Sequence, residues 1–190
     1  THTHTHRTNV RWAEVSDVMY LRAGNFIASS EIVSEPSTQS PIPCFGGGGL
    51  RGYVRTANQH GSRVLIGRQG ALCGNVKRAD GDFYATEHSV VVSPKAGVDM
   101  SWVFHLLSFM NLNQYASKSA QPGLAVRTLN GLRIPVPSAE EQRRVGLVLD
   151  KFHALVNDLT SGLPAEIAAR RIQYEYYRDR LLTFPEKAVA

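Results

Sequence analysis

Arg133-Ile134-Pro135-Val136-Pro137, running straight into Ser138-Ala139-Glu140-Glu141, opens the passage from Leu132 to Leu182, the most strongly patterned part of the chain. Ser138 and Glu141 have the capping-box spacing, in which each side chain satisfies a backbone N–H at a helix start. Beyond the cap, Val145, Val148, Phe152, Leu155 and Leu159 recur at spacings of three and four. That is a narrow apolar seam of the kind that packs one helix against another. Gly162-Leu163-Pro164 interrupts it, because Gly suits the position just past a helix and Pro restricts the residue before it. A second helical stretch starts near Ala165, carries Ile167, Arg170, Tyr174, Tyr177 and Leu181 along one side, and stops at Phe184-Pro185. Spacing alone leaves open whether the chain folds back at the interruption or merely kinks. The expectation is a globular front end on a helical stalk that must find a partner.

The front half reads as short strands joined by glycine turns, with one helix. Arg63–Gly67 is a strand built around Val64, Leu65 and Ile66, and His88–Val92 is a second, more buried one. Asp80-Gly81, between Val76 and Phe83, carries a hairpin signal. Val103, Leu106, Leu107 and Met110 fit one helical face, which Asp99 or Ser101 can cap. Residues 111–123 are polar and loop-like. The fold class expected is α+β: a globular mixed-strand domain, residues 1–138, followed by a long α-helical, coiled-coil-type region, residues 139–190. Thr1-His2-Thr3-His4-Thr5-His6 reads as a terminal tag or frayed linker within residues 1–9, although three alternating histidines could also hold a transition metal.

Charge divides unevenly along the chain. Residues 139–190 hold eight Lys/Arg and eight Asp/Glu, so the whole formal excess of +5 lies in front of them. Pro36 to Ala79 contains Arg51, Arg55, Arg63, Arg68, Lys77 and Arg78 without one Asp or Glu. Such a stretch is an electrostatic footprint suited to a phosphate backbone, or else a solvated basic face. Gly46-Gly47-Gly48-Gly49 is followed by Leu50-Arg51 and not by Lys-Ser/Thr, so it is no P-loop. It reads as a loop letting backbone approach DNA, with Arg51, Tyr53 and Arg55 at once behind it. Arg68-Gln69 lies just beyond a buried strand, where a guanidinium could reach phosphate or a guanine edge. Lys77 and Arg78 are equally readable as solvated or phosphate-facing. His88 reads either as a base-edge contact or as a structural histidine, and Lys118 as a phosphate contact or a solvated lysine.

The same residues carry a family resemblance. Ile134-Pro135-Val136-Pro137, Glu141-Gln142-Arg143-Arg144-Val145, Leu149-Asp150-Lys151-Phe152, Gly162-Leu163-Pro164-Ala165-Glu166-Ile167 and Gln173-Tyr174-Glu175-Tyr176-Tyr177-Arg178-Asp179 resemble, in order, the helical repeat of type I restriction–modification specificity subunits. The part before them resembles that family's target recognition domain in layout, through Val10-Arg11-Trp12, Arg63 to Gly70, Gly74-Asn75-Val76, Ala85-Thr86-Glu87-His88 and Gln121-Pro122-Gly123-Leu124. The resemblance implies sequence-specific reading of one half of a bipartite duplex DNA target for a methyltransferase complex. It implies half of a complete subunit, either a homodimer or a pairing with another half through the helices, whose length of about 30 Å for 20 residues would space the half-sites. Implied partners are duplex DNA, modification subunits and a restriction subunit. No cofactor is expected in this chain, and S-adenosylmethionine belongs to the modification subunit. Residues implied to pair helices are Val145, Val148, Phe152, Leu155, Leu159, Ile167, Tyr174 and Leu181.

Other classes fit less well. No Asn/Asp-Pro-Pro-Tyr/Phe motif, nuclease carboxylate cluster or nucleotide loop occurs, so the chain reads as a recognition module and not an enzyme. A hydrolase using His88 or His105 lacks a partnered nucleophile. The alternative is a non-DNA adaptor with an α+β head on a dimerising stem, against which the acid-free basic stretch argues. No apolar run reaches the roughly 20 residues of a membrane span. Cys44 and Cys73 lack metal-type spacing and read as two reduced thiols in a cytoplasmic protein.

Overall fold

The computed structural model describes residues 10–118, 122–158 and 164–184, leaving Leu159, the Gly162-Leu163 break and the His-Thr repeat outside the described residues. Among the described residues nine strands and five α-helices follow in the order β1 (Arg11–Glu14), α1 (Val15–Val18), β2 (Met19–Ala23), β3 (Ile42–Gly46), β4 (Gly49–Val54), β5 (Arg63–Gly67), β6 (Val76–Ala79), β7 (Tyr84–Ala85), β8 (Ser89–Pro94), α2 (Met100–Phe109), α3 (Val126–Asn130), β9 (Arg133–Val136), α4 (Ala139–Asp158) and α5 (Pro164–Leu182). Val64, Leu65 and Ile66 are all buried because β5 is an interior strand. It lies within an antiparallel sheet of order β2-β8-β5-β6, registered Val64↔Val92 on one side and Val64↔Arg78 on the other. Strand side chains alternate between faces. Val64, Ile66, Val90 and Val92 therefore point one way, into a core with Trp102, Val103, Leu106 and Leu107 of α2. Leu65 and Val91 point the other way, onto Phe83, Ala85 and Phe45 of a second, smaller core.

That second core belongs to a three-stranded sheet of order β4-β3-β7, in which β7 runs parallel to β3. The Asp80-Gly81 signal is here corrected. Gly81 does take a positive φ of 76°, but β6 and β7 do not pair. The turn carries the chain from one sheet to the other, because Phe83 has a dry site under β5 while a hairpin partner for β6 would leave it in solvent. The helix of the front half forms as expected, and Asp99 caps it by accepting from the Trp102 N–H at 2.8 Å. The 111–123 loop is less irregular than its polarity suggests: residues Leu112–Tyr115 make a 3-10 turn and Leu112 is fully buried.

β9 pairs antiparallel with β1, so the Arg133-Ile134-Pro135-Val136 segment closes on the start of the domain. The cap follows directly, with the Glu141 N–H donating to Ser138 Oγ at 3.2 Å, while the Glu141 carboxylate takes the Arg144 guanidinium. α4 then packs on α2, and α5 turns back along α4: Phe152 stacks on Tyr177 at 5.3 Å between ring centroids. The two helices thus form a hairpin, its far end returning Leu182 to the main core.

Candidate nucleic-acid interface

The β3–β4 hairpin turns over Gly47 and Gly48 and lies against the ends of β5 and β8. A side chain at Gly47 would place Cβ only 2.6 Å from the Gln69 carbonyl oxygen and 3.2 Å from that of His88. Glycine is therefore demanded by packing against protein backbone. Beneath the hairpin is an open cleft of about 400 Å³, lined by Gly46–Gly49, Leu50, Arg51, Gln69, Gly70 and His88. Arg51 lines it, with its Cδ 3.5 Å from where a Cβ on Gly46 would sit, and one guanidinium nitrogen donates to Ser29 Oγ at 2.8 Å. His88 Nδ1 bonds to Gln69 Oε1, and its Nε2 lies 3.1 Å from Glu87 Oε1. The second Glu87 oxygen is buried and has no partner among the described residues.

Three sequence-separated candidates, Arg51, Gln69 and His88, thus meet in one place. Lys118 is exposed on a loop tied to the same spot by the Gln69↔Gly123 bridge and the Gly70 N–H to Pro122 carbonyl bond. Arg68 sits half-buried behind the cleft, with Nη1 3.5 Å from the Glu87 carbonyl oxygen. Tyr53 and Arg55 lie toward the far end of β4: Tyr53 exchanges backbone bonds with Val33, and Arg55 borders a separate depression with Glu31 and Ser37. Lys77 is exposed on the edge strand β6, on the face opposite Arg78.

Arg78, offered as a DNA contact, is turned toward α4. Its guanidinium bonds Asp150 at 2.5 Å and lies 4.2 Å over the Phe104 ring, so it is spent internally, joining the sheet to α4. Asp150 also accepts from Ser101 Oγ at 2.6 Å and from His105 Nε2 at 2.8 Å, and the Tyr174 hydroxyl is 3.3 Å from His105 Nδ1. Burial raises the Asp150 carboxyl, but the hydrogen bonds from Arg78, Ser101 and His105 outweigh it and hold it below its ordinary value. Burial pulls fully enclosed His105 down to about 4, against the opposing pull of Asp150. Its ring is accordingly neutral, donating to Asp150 and accepting from Tyr174, and serves as a tie between head and helices. Burial likewise lowers His153 and raises Tyr174.

The helix-pairing residues divide. Val145 is buried in the main core, but its partner there is Leu149, a residue outside the 145-148-152-155 seam. Val148 and Phe152 are half-buried, Phe152 against α5, and Leu155 is 45% exposed. Tyr174 lies beside His105 and His153, and Leu181 packs at the core's edge. The side chain of Ile167 and all of Leu159 lie outside the described residues. The seam is shifted because α4 turns its 145-146-149-150-153 face to α2. Gly146 permits this, since a Cβ there would come within 2.7 Å of Asp99 Oδ1 and 3.0 Å of the Trp102 backbone nitrogen. Gln142, also missed, is 3% exposed and joins Pro137 to the start of α2 through its amide. A glycine and a buried-register glutamine inside an otherwise regular helix were the available signals.

Among the described residues no group of three or more His, Cys, Asp or Glu is placed to hold a metal ion, and no helix is long and apolar enough to cross a membrane. Cys44 and Cys73 are buried free cysteines.

Residues 10–169 match the family model for a type I restriction modification DNA specificity domain. The chain is 53% identical over 146 residues to the type I restriction enzyme EcoprrI specificity subunit of Escherichia coli, covering 77% of this chain and 36% of that one. It is 36% identical over 99 residues to the EcoR124I/EcoR124II specificity subunit of Escherichia coli, covering 50% and 24%. Among solved structures, a type I restriction-modification S subunit from M. genitalium superposes with a TM-score of 0.72 at 19% identity, over 84% of this chain and 43% of that one. The HsdS subunit from Thermoanaerobacter tengcongensis gives 0.63 at 20% identity, over 91% and 44%. These superpositions share the α+β architecture. The chain spans about a quarter to a half of the length of these relatives.

Proposed function

The chain belongs to the type I restriction modification DNA specificity family, and from that premise we propose that it reads one half of a bipartite duplex DNA target for a methyltransferase complex, as a binding subunit and not an enzyme. The observation that carries the reading is the convergence of Arg51, Gln69 and His88 in one open cleft, with exposed Lys118 on a loop anchored beside it. Apart from His88, which contacts Glu87, the residues lining the cleft belong to the stretch from Pro36 to Ala79 that carries basic residues and no carboxylate. Phosphate contacts position a protein on DNA and base-edge contacts specify sequence. Lys118 and the peripheral Arg55 and Lys77 suit the first task, and the cleft suits the second.

In this proposal residues 1–138 recognise DNA and 139–190 assemble the complex, although α4 shares the head's core through Val145 and Leu149. The outer surface of the helical hairpin supports assembly. Leu147, Leu155, Ile172 and Tyr176 are 58%, 45%, 69% and 56% exposed there, more apolar surface than two solvated helices need. That surface would meet a second half-subunit or the modification subunits, which supply S-adenosylmethionine, and the restriction subunit would join the assembly they form.

Retention of a random duplex library by the chain, followed by sequencing, tests the reading. Recovered duplexes should share a short half-site. Recovery of no duplex, or of duplexes without a common sequence, refutes it.

A further inference from the structure

β2 is an edge strand of the four-stranded sheet, and the smaller sheet leaves part of that edge uncovered. Leu65 and Val91 pack against Phe83 and Ala85, whereas farther out on the same face Tyr20 opposes Ser93 and Arg22 opposes Val91. Strand alternation puts Arg63, two residues before Leu65, on this face as well. The uncovered part is a concave pocket of about 380 Å³ whose polar lining is Tyr20, Arg22, Asn25, Gln59, Arg63 and Ser93.

Every polar side chain in that lining can donate a hydrogen bond, and none is a carboxylate. Arg22 is exposed, and its guanidinium has no hydrogen-bond or ion-pair partner among the described residues. Arg63 spends one guanidinium nitrogen on the Ser62 carbonyl at 2.8 Å and keeps its other donors. Lys95 adds a third cation at the rim, its ammonium 5.0 Å from the centroid of the Tyr20 ring. Asp80 and Asp82 approach the adjoining residues, and each is taken there, by Ser62 Oγ at 2.5 Å and by His60 Nδ1 at 2.7 Å.

Asn25 joins this pocket to the cleft. Its carbonyl accepts the Glu87 N–H at 3.1 Å, and Glu87 Oε1 lies 3.1 Å from His88 Nε2. From His88 to Val91 an extended chain advances about 10 Å, which is about three base-pair steps of the duplex. One duplex can therefore occupy both places.

Resting on the DNA recognition proposed above, we propose that this pocket holds one backbone phosphate of the duplex, about three steps from the base pair at the cleft, with Arg22 and Arg63 as its main ligands. Planar guanidiniums match phosphate oxygens two at a time, and Ser93, Asn25 and Gln59 supply neutral donors around them. The contact carries no base preference; it fixes where along the duplex the cleft sits. Arg22 lies outside the acid-free stretch and enters the interface only through the pairing of β2 with β8.

The test uses the full chain and one duplex recovered from the random library. Each phosphate across the shared half-site and about five steps on either side is replaced singly by a neutral methylphosphonate, a span that includes the expected position. One replacement should weaken the parent about tenfold, as for a lost hydrogen-bonded charge contact, and should cost Arg22→Gln nothing further. On the unmodified duplex Arg22→Gln and Arg63→Gln should each lower the salt slope by about 0.9. Both should select the same half-site as the parent. Arg22→Gln should also keep the parent's urea midpoint, since its guanidinium makes no bond within the fold. The inference is overturned if every replacement weakens parent and variants alike, if the salt slopes are unchanged, or if the selected half-site shifts. It is overturned too if Arg22→Gln binds duplex as the parent does but no longer assembles with modification subunits, which would make the pocket a protein-docking site. Retention of no duplex by the parent chain would instead overturn the DNA-recognition reading itself.

Discussion

His105 should make the docking of the helices on the head sensitive to acid, by an amount that follows from its surroundings. The ring is wholly enclosed, held neutral between Asp150 and Tyr174, and its pKa is lowered to about 4 from an ordinary 6.5. In the unfolded chain the same ring takes its proton near 6.5. Between those two values the unfolded state therefore carries one more proton, and stability falls as pH falls. The contribution is fully present above about pH 6.5 and lost by about pH 4, and it amounts to about 3 kcal/mol over the interval. Asp150 adds to the loss only at lower pH, because its lowered carboxyl stabilises the fold until it is itself protonated. Urea unfolding followed by tryptophan fluorescence, with Trp102 buried on the same helix, reads the effect. The comparison is with His105→Gln, whose amide can still donate to Asp150 and accept from Tyr174 but does not titrate. Between roughly pH 6 and pH 4.5 the parent's unfolding free energy should fall more steeply than the variant's by about 1.4 kcal/mol per pH unit. The carboxylates and His153 are common to both proteins and cancel. Parallel lines would refute the placement of a neutral, enclosed ring at this junction.

Gly146→Ala should destabilise by about 1–3 kcal/mol despite the better helix propensity of alanine, because its Cβ meets Asp99 and the Trp102 backbone; an unchanged or raised urea midpoint contradicts that. Asp150→Ala leaves the enclosed His105 N–H without an acceptor and releases Arg78. With Asp150 and Arg78 side chains 30% and 31% exposed, solvent takes up part of the loss, and about 2–3 kcal/mol is expected from the same titration. Phe152→Ala removes the stack on Tyr177, so hydrogen exchange should quicken across residues 168–182 while the β5 and β8 amides keep their protection. Lys118→Ala should lower the salt slope of duplex binding by about 0.9, whereas Arg78→Ala should leave the slope unaltered and cost stability instead. Equal slopes for the two variants would return Arg78 to the interface.

Punctuation and period within Leu132–Leu182 were enough to specify two helices and the start of the first, because a cap, a glycine or a proline acts within a few residues of itself. The strands at residues 63–67 and 89–94 and the capped helix behind Asp99 were legible for the same reason: burial on a regular element writes its own period. Chain order and an acid-free basic stretch also brought Arg51, Gln69 and His88 forward as candidates, but not their meeting in one cleft. That meeting depends on the bond between Gln69 and His88, 19 positions apart in the chain, and on the close approach of Gly47 to the backbone of both. No local pattern encodes them; the register of β5 against β8 and the seating of the glycine hairpin do. The folded chain alone could show that Arg78 belongs to the helices, 72 residues from its partner Asp150, since an arginine on an edge strand looks the same whether it faces phosphate or a carboxylate. The face that α4 turns to the head was likewise decided in three dimensions. Apolar spacing marks several adjacent stripes on a helix, and the close approach allowed by Gly146, together with the ion pair and hydrogen bonds converging on Asp150, selects among them.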